Sequence, residues 1–133
     1  MHSGFNPYNK RLWNYSINEA DNSIAFSIKS PDGDQGFPGD FNVTVTYTLT
    51  DDNSLKIEYY GTSNKDTVAN MTNHSYFNLA GHNNGNCLNH KLYINADKFV
   101  AVDDELIPIG ELQDVTNTPM DFRNAKEIGL DIN

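Results

Sequence analysis

Only one cysteine, Cys87, occurs among the 133 residues, so no internal disulfide can form. Lying beside Asn86 in a Gly/Asn-rich turn, its thiol reads as incidental rather than catalytic. Long apolar runs are missing too. Nothing approaches the ~20 residues that span a bilayer, and the opening "MHSGFNPYNK" lacks the apolar stretch of a signal peptide. The expectation is a soluble, cytoplasmic protein without membrane association. Positive charge is scarce, 9 Lys and Arg against 18 Asp and Glu, for a formal charge of −9. Such a field repels phosphate backbones and anionic lipid, and no Lys/Arg cluster breaks it, so nucleic acid is a poor partner.

Familiar catalytic spacings are absent as well. The four histidines, His2, His74, His82 and His90, show no short pairing of the zinc-binding kind, and there is no second thiol. "SPDGDQGFPGD" is acidic and glycine-rich but lacks the alternating ligands and closing glutamate of a calcium loop, so it reads as a turn. No G-x-S-x-G or phosphate-binding glycine loop is present. A metal site is not expected from these spacings. Four glycosylation sequons, at Asn14, Asn42, Asn70 and Asn73, fall mostly in predicted strands and read as chance.

What the chain has in abundance is asparagine, nineteen in all, together with nine glycines and five prolines, a composition hostile to long helices. "DFNVTVTYTLT" alternates Phe41, Val43, Val45, Tyr47 and Leu49 with Asn42, Thr44, Thr46, Thr48 and Thr50. Asp51, Asp52 and Asn53 supply turn chemistry, and "SLKIEYY" returns with Leu55, Ile57 and Tyr59 inward, predicting a hairpin over 40–60. Further strands are predicted at 23–29, 67–79 and 90–95, with shorter extended pieces at 98–102 and 106–109. The one modest helical candidate is "FRNAKEIGL". Closely spaced strands with Gly/Pro/Asn turns point to a single all-β domain, an antiparallel β-sandwich or part of one.

The stretch "NMTNHSYFNL", residues 70–79, is the most informative. As a strand it would put Met71, Phe77 and Leu79 on one face and Asn70, Thr72, His74, Tyr76 and Asn78 on the other. A row of amide, hydroxyl and imidazole groups beside an aromatic ring suits a neutral, polyhydroxylated ligand such as a sugar. His74 titrates near neutrality and could pass a proton to a ligand oxygen. The alternative from pattern alone is a solvated face with His74 at the surface.

The same stretch, continued as "NMTNHSYFNLAG", resembles the signature of the aldose 1-epimerase (galactose mutarotase) family, Asn-x-Thr-Asn-His-x-Tyr-Phe/Trp-Asn-Leu. "MHSGFNPYNKRLW" is similar to the family's Leu-His-Gly-Gly-x-x-Gly-Phe-Asp-Lys-Arg-Val-Trp, with Ser3 and Pro7 in place of glycines and Asn9 in place of aspartate. "SPDGDQGFPGD", "TVTYTLTDDNSLKIEY", "ELIPIGE" and "TPMDFR" resemble later family segments, with Ile109 where the family has threonine. The resemblance runs the length of the chain and corresponds to the middle portion of the family domain.

It implies an incomplete galactose mutarotase-like β-sandwich, residues 1–133 forming a partial domain, with the sugar in an open cleft on one sheet. It also implies cofactor-free isomerisation between the α and β anomers of galactose, glucose or a related aldose. His74 matches the family's general acid, which protonates the ring oxygen. His2, Ser75 and Tyr76 match positions that contact the sugar, and strand alternation favours Tyr76 over Ser75 for sharing a face with His74. The family's general base is a glutamate near its C-terminus with no counterpart in these 133 residues, so the alternative is a sugar-binding fragment or remnant without turnover. A partial sandwich also leaves strand edges and apolar faces uncovered, and the expectation is marginal stability, self-association or pairing with a complementary fragment.

Overall fold

Alternation of apolar and hydroxyl-bearing side chains from residue 41 onward builds the strand around which the first half of the protein is organised. The computed structural model describes residues 4–132. Its chain divides into two compact units, Met1–Asn73 and His74–Asn133. In the first unit, β1 (Asn14–Asn18), β2 (Ser23–Ser30), β3 (Phe41–Leu49) and β4 (Leu55–Ser63) form an antiparallel sheet in sequence order. The register sets Tyr15 opposite Phe26, Phe26 opposite Val45, and Val45 opposite Tyr59. It likewise aligns Ile17, Ile24, Tyr47 and Ile57 across the four strands. Directly opposed residues share a face, so one side of the sheet is apolar and the other carries Ser16, Ala25, Ser27, Thr44, Thr46, Lys56 and Glu58.

Burial on the apolar face is greatest at its centre. Val43 and Val45 are buried, whereas Tyr15 and Ile17 on the β1 edge are 69% and 64% exposed. β1 is a strand that the sequence reading did not contain: "NYSIN" is short and polar, and it pairs because Tyr15 and Ile17 extend the apolar rows of β2. The β3–β4 hairpin forms where expected, closed by Asn53 at a φ of 62° and by the Thr50 N–H bond to Ser54 O at 2.9 Å. Gly61, opposite Val43, leaves room for the Phe41 ring, since a Cβ there would lie 2.8 Å from Phe41 Cζ.

Ahead of β1, the chain is tied to the 31–40 turn. Arg11 Nη1 donates to Asp34 Oδ2, Arg11 Nη2 to Asp34 Oδ1 at 3.1 Å, and Arg11 Nε to Asn6 O at 2.8 Å. Ser30 Oγ donates to the same carboxylate, and Trp13 Nε1 donates to Tyr8 O at 2.9 Å. The Arg11 guanidinium and the Ser30 hydroxyl hold the Asp34 carboxyl well below the usual carboxylate range.

The second unit contains β5 (Lys91–Leu92) paired with β8 (Lys126–Glu127), and β6 (Lys98–Val102) paired with β7 (Pro108–Asp114), both antiparallel. Ala101 and Val115 are its buried apolar side chains. A register shift between Val100 and Val102 bends the β6–β7 ribbon. Its turn is held by Asp103 Oδ1, which accepts the N–H groups of Glu105 and Ile107. Leu106, at a φ of 63°, belongs to that turn, which is why the strand predicted at 106–109 runs instead over Pro108–Asp114. The strand predicted at 90–95 is confined to Lys91–Leu92, and Ile94 N–H bonds Phe122 O outside the ladder.

Two expectations fail outright. The helical candidate at 122–130 is strand β8 followed by a 3₁₀ turn, Ile128–Asp131. There the Ile128 N–H bonds His90 O, and Gly129 lies against Leu88, so packing overrides a weak propensity. The strand predicted over 67–79 is irregular chain outside the three sheets. Its first part borders a surface pocket that Ala69, Asn70 and Met71 line together with the apolar-face residues Phe41, Val43 and Tyr59 of the four-stranded sheet. Alternation there serves packing on a face rather than a ladder.

Candidate functional site

The stretch 70–79 is divided in sequence between the two units, after Asn73, and each part is described by itself. In the first unit, the alternation expected of "NMTNH" holds locally: Met71 and Asn73 are half-buried while Asn70 and Thr72 are exposed. Asn73 Nδ2 donates to the Tyr47 hydroxyl at 2.9 Å, anchoring the segment to β3. A cavity of about 170 Å³ beneath residues 67–71 is lined by Tyr8, Pro31, Phe37, Phe41, Val68 and Met71, among others. Among the described residues, neither His74, Ser75 nor Tyr76 lines it.

In the second unit, His74, Ser75 and Tyr76 are exposed. The His74 and Tyr76 rings approach to 5.2 Å between centroids at an interplanar angle of 53°. The structure thus brings together the imidazole and the phenol that the sequence put on one face, with Tyr76 90% exposed. His2 lies outside the described residues.

Beyond His74 the expected alternation breaks down. Phe77 and Leu79, read as core, are exposed, and Asn78, read as part of the polar row, is half-buried. The physical reason is a turn. Asn78 Oδ1 accepts the Ala80 N–H at 3.0 Å, and Asn78 O accepts the Gly81 N–H at 3.0 Å. Gly81, at a φ of 114°, takes a backbone conformation that glycine alone adopts readily. Asn84 Nδ2 closes the loop on Ala80 O at 2.9 Å, and the Leu79 N–H donates to His90 Nε2 at 2.9 Å. Asn78 is therefore a turn anchor. The signal available for it was turn chemistry, since Asn followed closely by Gly favours a side-chain-capped turn. For His90 no local signal existed.

Chemically, an exposed imidazole beside an exposed phenol ring can exchange a proton with a ligand while the ring covers an apolar surface. Among the described residues no group of three or more His, Cys, Asp or Glu side chains is placed to hold a metal ion. The ion pairs of the second unit brace structure. Arg123 engages Asp121 through Nε and Nη2, at 2.9 and 2.7 Å, and reaches Asp97 and Thr116. Its guanidinium holds the Asp121 carboxyl down to about 2. Among the described residues no helix is long and apolar enough to cross a membrane.

Comparison with known proteins gives a consistent result. A model of the family described as aldose 1-epimerase matches residues 1–133. An aldose 1-epimerase of Haemophilus influenzae is 51% identical over 133 residues, covering 98% of this chain and 38% of that protein. A galactose mutarotase of Sus scrofa is 43% identical, covering 97% of this chain and 37% of that protein. The crystal structure of a GalM/aldose epimerase homologue from C. elegans superposes with a TM-score of 0.84 at 38% identity, over 96% of this chain and 38% of that one. The chain thus spans little more than a third of the length of these relatives. Its all-β, antiparallel architecture is part of the galactose mutarotase-like fold, as the sequence implies. On these grounds the chain belongs to the aldose 1-epimerase family.

Proposed function

We propose that this chain carries the acid side of an aldose 1-epimerase site, with His74 as the general acid in the interconversion of α and β anomers of galactose, glucose or a related aldose. The imidazolium of His74 gives its proton to the ring oxygen as the C1–O bond of the pyranose breaks. The C1 hydroxyl loses its proton to a base, leaving an open-chain aldehyde. Rotation about the C1–C2 bond and reclosure with the opposite proton movements yield the other anomer, with atoms and charge conserved. In the family resemblance the base is a glutamate outside the matched stretch. His2, Ser75 and Tyr76 contact the sugar, the phenol ring of Tyr76 covering one sugar face.

The observation that carries this reading is family membership along the whole chain, combined with an exposed His74 ring set 5.2 Å from Tyr76. A positioned acid of this kind contributes ~10²–10⁴ in rate, about 3–5 kcal/mol of barrier. A soluble cytoplasmic setting belongs to the same proposal. So does association through the apolar face of β1–β4, favoured by the exposure of Tyr15, Ile17, Leu49 and Leu55 along it.

The test is polarimetry of freshly dissolved α-galactose with and without the chain, alongside amide NMR during sugar titration. Faster equilibration supports the enzyme. Amide shifts at 74–76 without faster equilibration reduce the function to sugar binding, and the absence of both effects would refute the proposal.

A further inference from the structure

His90 lies eleven residues beyond Leu79, and its imidazole Nε2 accepts the Leu79 backbone N–H at 2.9 Å. A ring nitrogen accepts only when it carries no proton, so His90 must be neutral with its hydrogen on Nδ1. Its own backbone is fixed on both sides: its N–H bonds Cys87 O at 3.0 Å, and its carbonyl accepts the Ile128 N–H at 3.0 Å. The imidazole is thus mounted on the β5–β8 end of the second unit. It reaches back to the turn that ends the "NHSYFNL" segment, three residues after Tyr76.

We infer that His90 is a positioning residue, holding the 74–79 segment through the Leu79 N–H only while its imidazole is neutral, and releasing it on protonation. This rests on the reading of His74 and Tyr76 as the sugar-facing pair. It assigns the protein a second histidine whose requirement opposes that of the first, because His74 acts as an acid when charged and His90 holds when uncharged. The titratable and charged groups on the elements around His90 are Lys91 and Glu127, opposed across β5–β8, Lys126 and Asp131, which bond each other, and Cys87 and His82 in the 80–90 loop. Protonating His90 removes the acceptor and leaves two donors facing one another, Leu79 N–H and Nε2–H.

Nitrogen-15 NMR of the histidine side chains and backbone amides tests this without any activity readout, so its failure is distinct from failure of the mutarotase reading. Expected are the Nδ1–H tautomer for His90 above its titration and a scalar coupling from the Leu79 amide nitrogen to His90 Nε2. On acidification through the His90 transition, the coupling disappears. Leu79 protection, corrected for intrinsic exchange, falls about tenfold, the worth of one ordinary hydrogen bond. The His74–Tyr76 ring contact weakens in step. His90→Gln offers a side-chain oxygen that does not titrate, so it should keep Leu79 protected and the ring contact present in acid. An Nε2–H tautomer, Leu79 protection that ignores His90 titration, or a His90→Gln chain that loses the ring contact at the same pH as the parent would each overturn the inference.

Discussion

Asp34 shows how one carboxylate can organise a stretch of chain with almost no hydrophobic help. It receives Arg11, Ser30 and Gln35, and both members of its ion pair are largely buried, at 12% and 13% side-chain exposure. Because the folded-state value lies below the ordinary one, the pair's contribution is complete above the unfolded value and is lost as pH falls through the folded one. Asp121, held down to about 2 by Arg123, behaves in the same direction. Denaturant midpoints should therefore fall between about pH 4 and pH 2. Asp34→Asn should lower stability at neutral pH by about 1.5–3 kcal/mol, the range for hydrogen bonds to charged groups, and flatten part of that acid limb. A midpoint unchanged by the substitution at neutral pH would show that the pair contributes nothing.

Among the elements, the β3–β4 hairpin depends on a fit between Phe41 and the missing side chain at Gly61. Gly61→Val would drive a Cβ to 2.8 Å from the ring and is expected to destabilise the chain by about 1–3 kcal/mol in urea titrations. Phe41→Leu in the same chain should recover part of the loss, and its failure to do so would mean that the strain lies in the backbone instead. This hairpin was legible in the sequence because two local signals agree, strict alternation over 41–49 and turn residues at 51–53. The "NMTNHSYFNL" segment carries equally good alternation only as far as His74. Beyond it the Asn78 turn takes over, and the bonds that define that turn come from Asn84 and His90, which no periodicity connects to it. β1 was invisible for the converse reason: "NYSIN" is too short to declare itself, and it becomes a strand by extending rows set by Phe26 and Ile24. His74 and Tyr76 were legible as a pair because a motif carried them, and their 5.2 Å ring contact agrees with shared parity.

At the scale of the molecule, the four-stranded sheet presents an apolar face that is well covered only near Val43 and Val45. Strand edges and uncovered apolar rows of this kind recruit other surfaces. Size-exclusion chromatography over a concentration series should show association, and Tyr15→Lys with Ile17→Lys should shift the distribution toward monomer. A sharp, concentration-independent monomer peak for the parent chain would contradict this. The central claim concerns His74, and it is tested most directly in a full-length setting. This chain replaces the matching stretch of the Haemophilus influenzae aldose 1-epimerase, and the chimera's equilibration of α-galactose is followed by polarimetry with His74 intact and as His74→Gln. The account predicts that the intact chimera accelerates equilibration and that the substitution lowers the catalysed rate by ~10²–10⁴. A His74→Gln chimera that equilibrates the anomers as fast as its parent would contradict it.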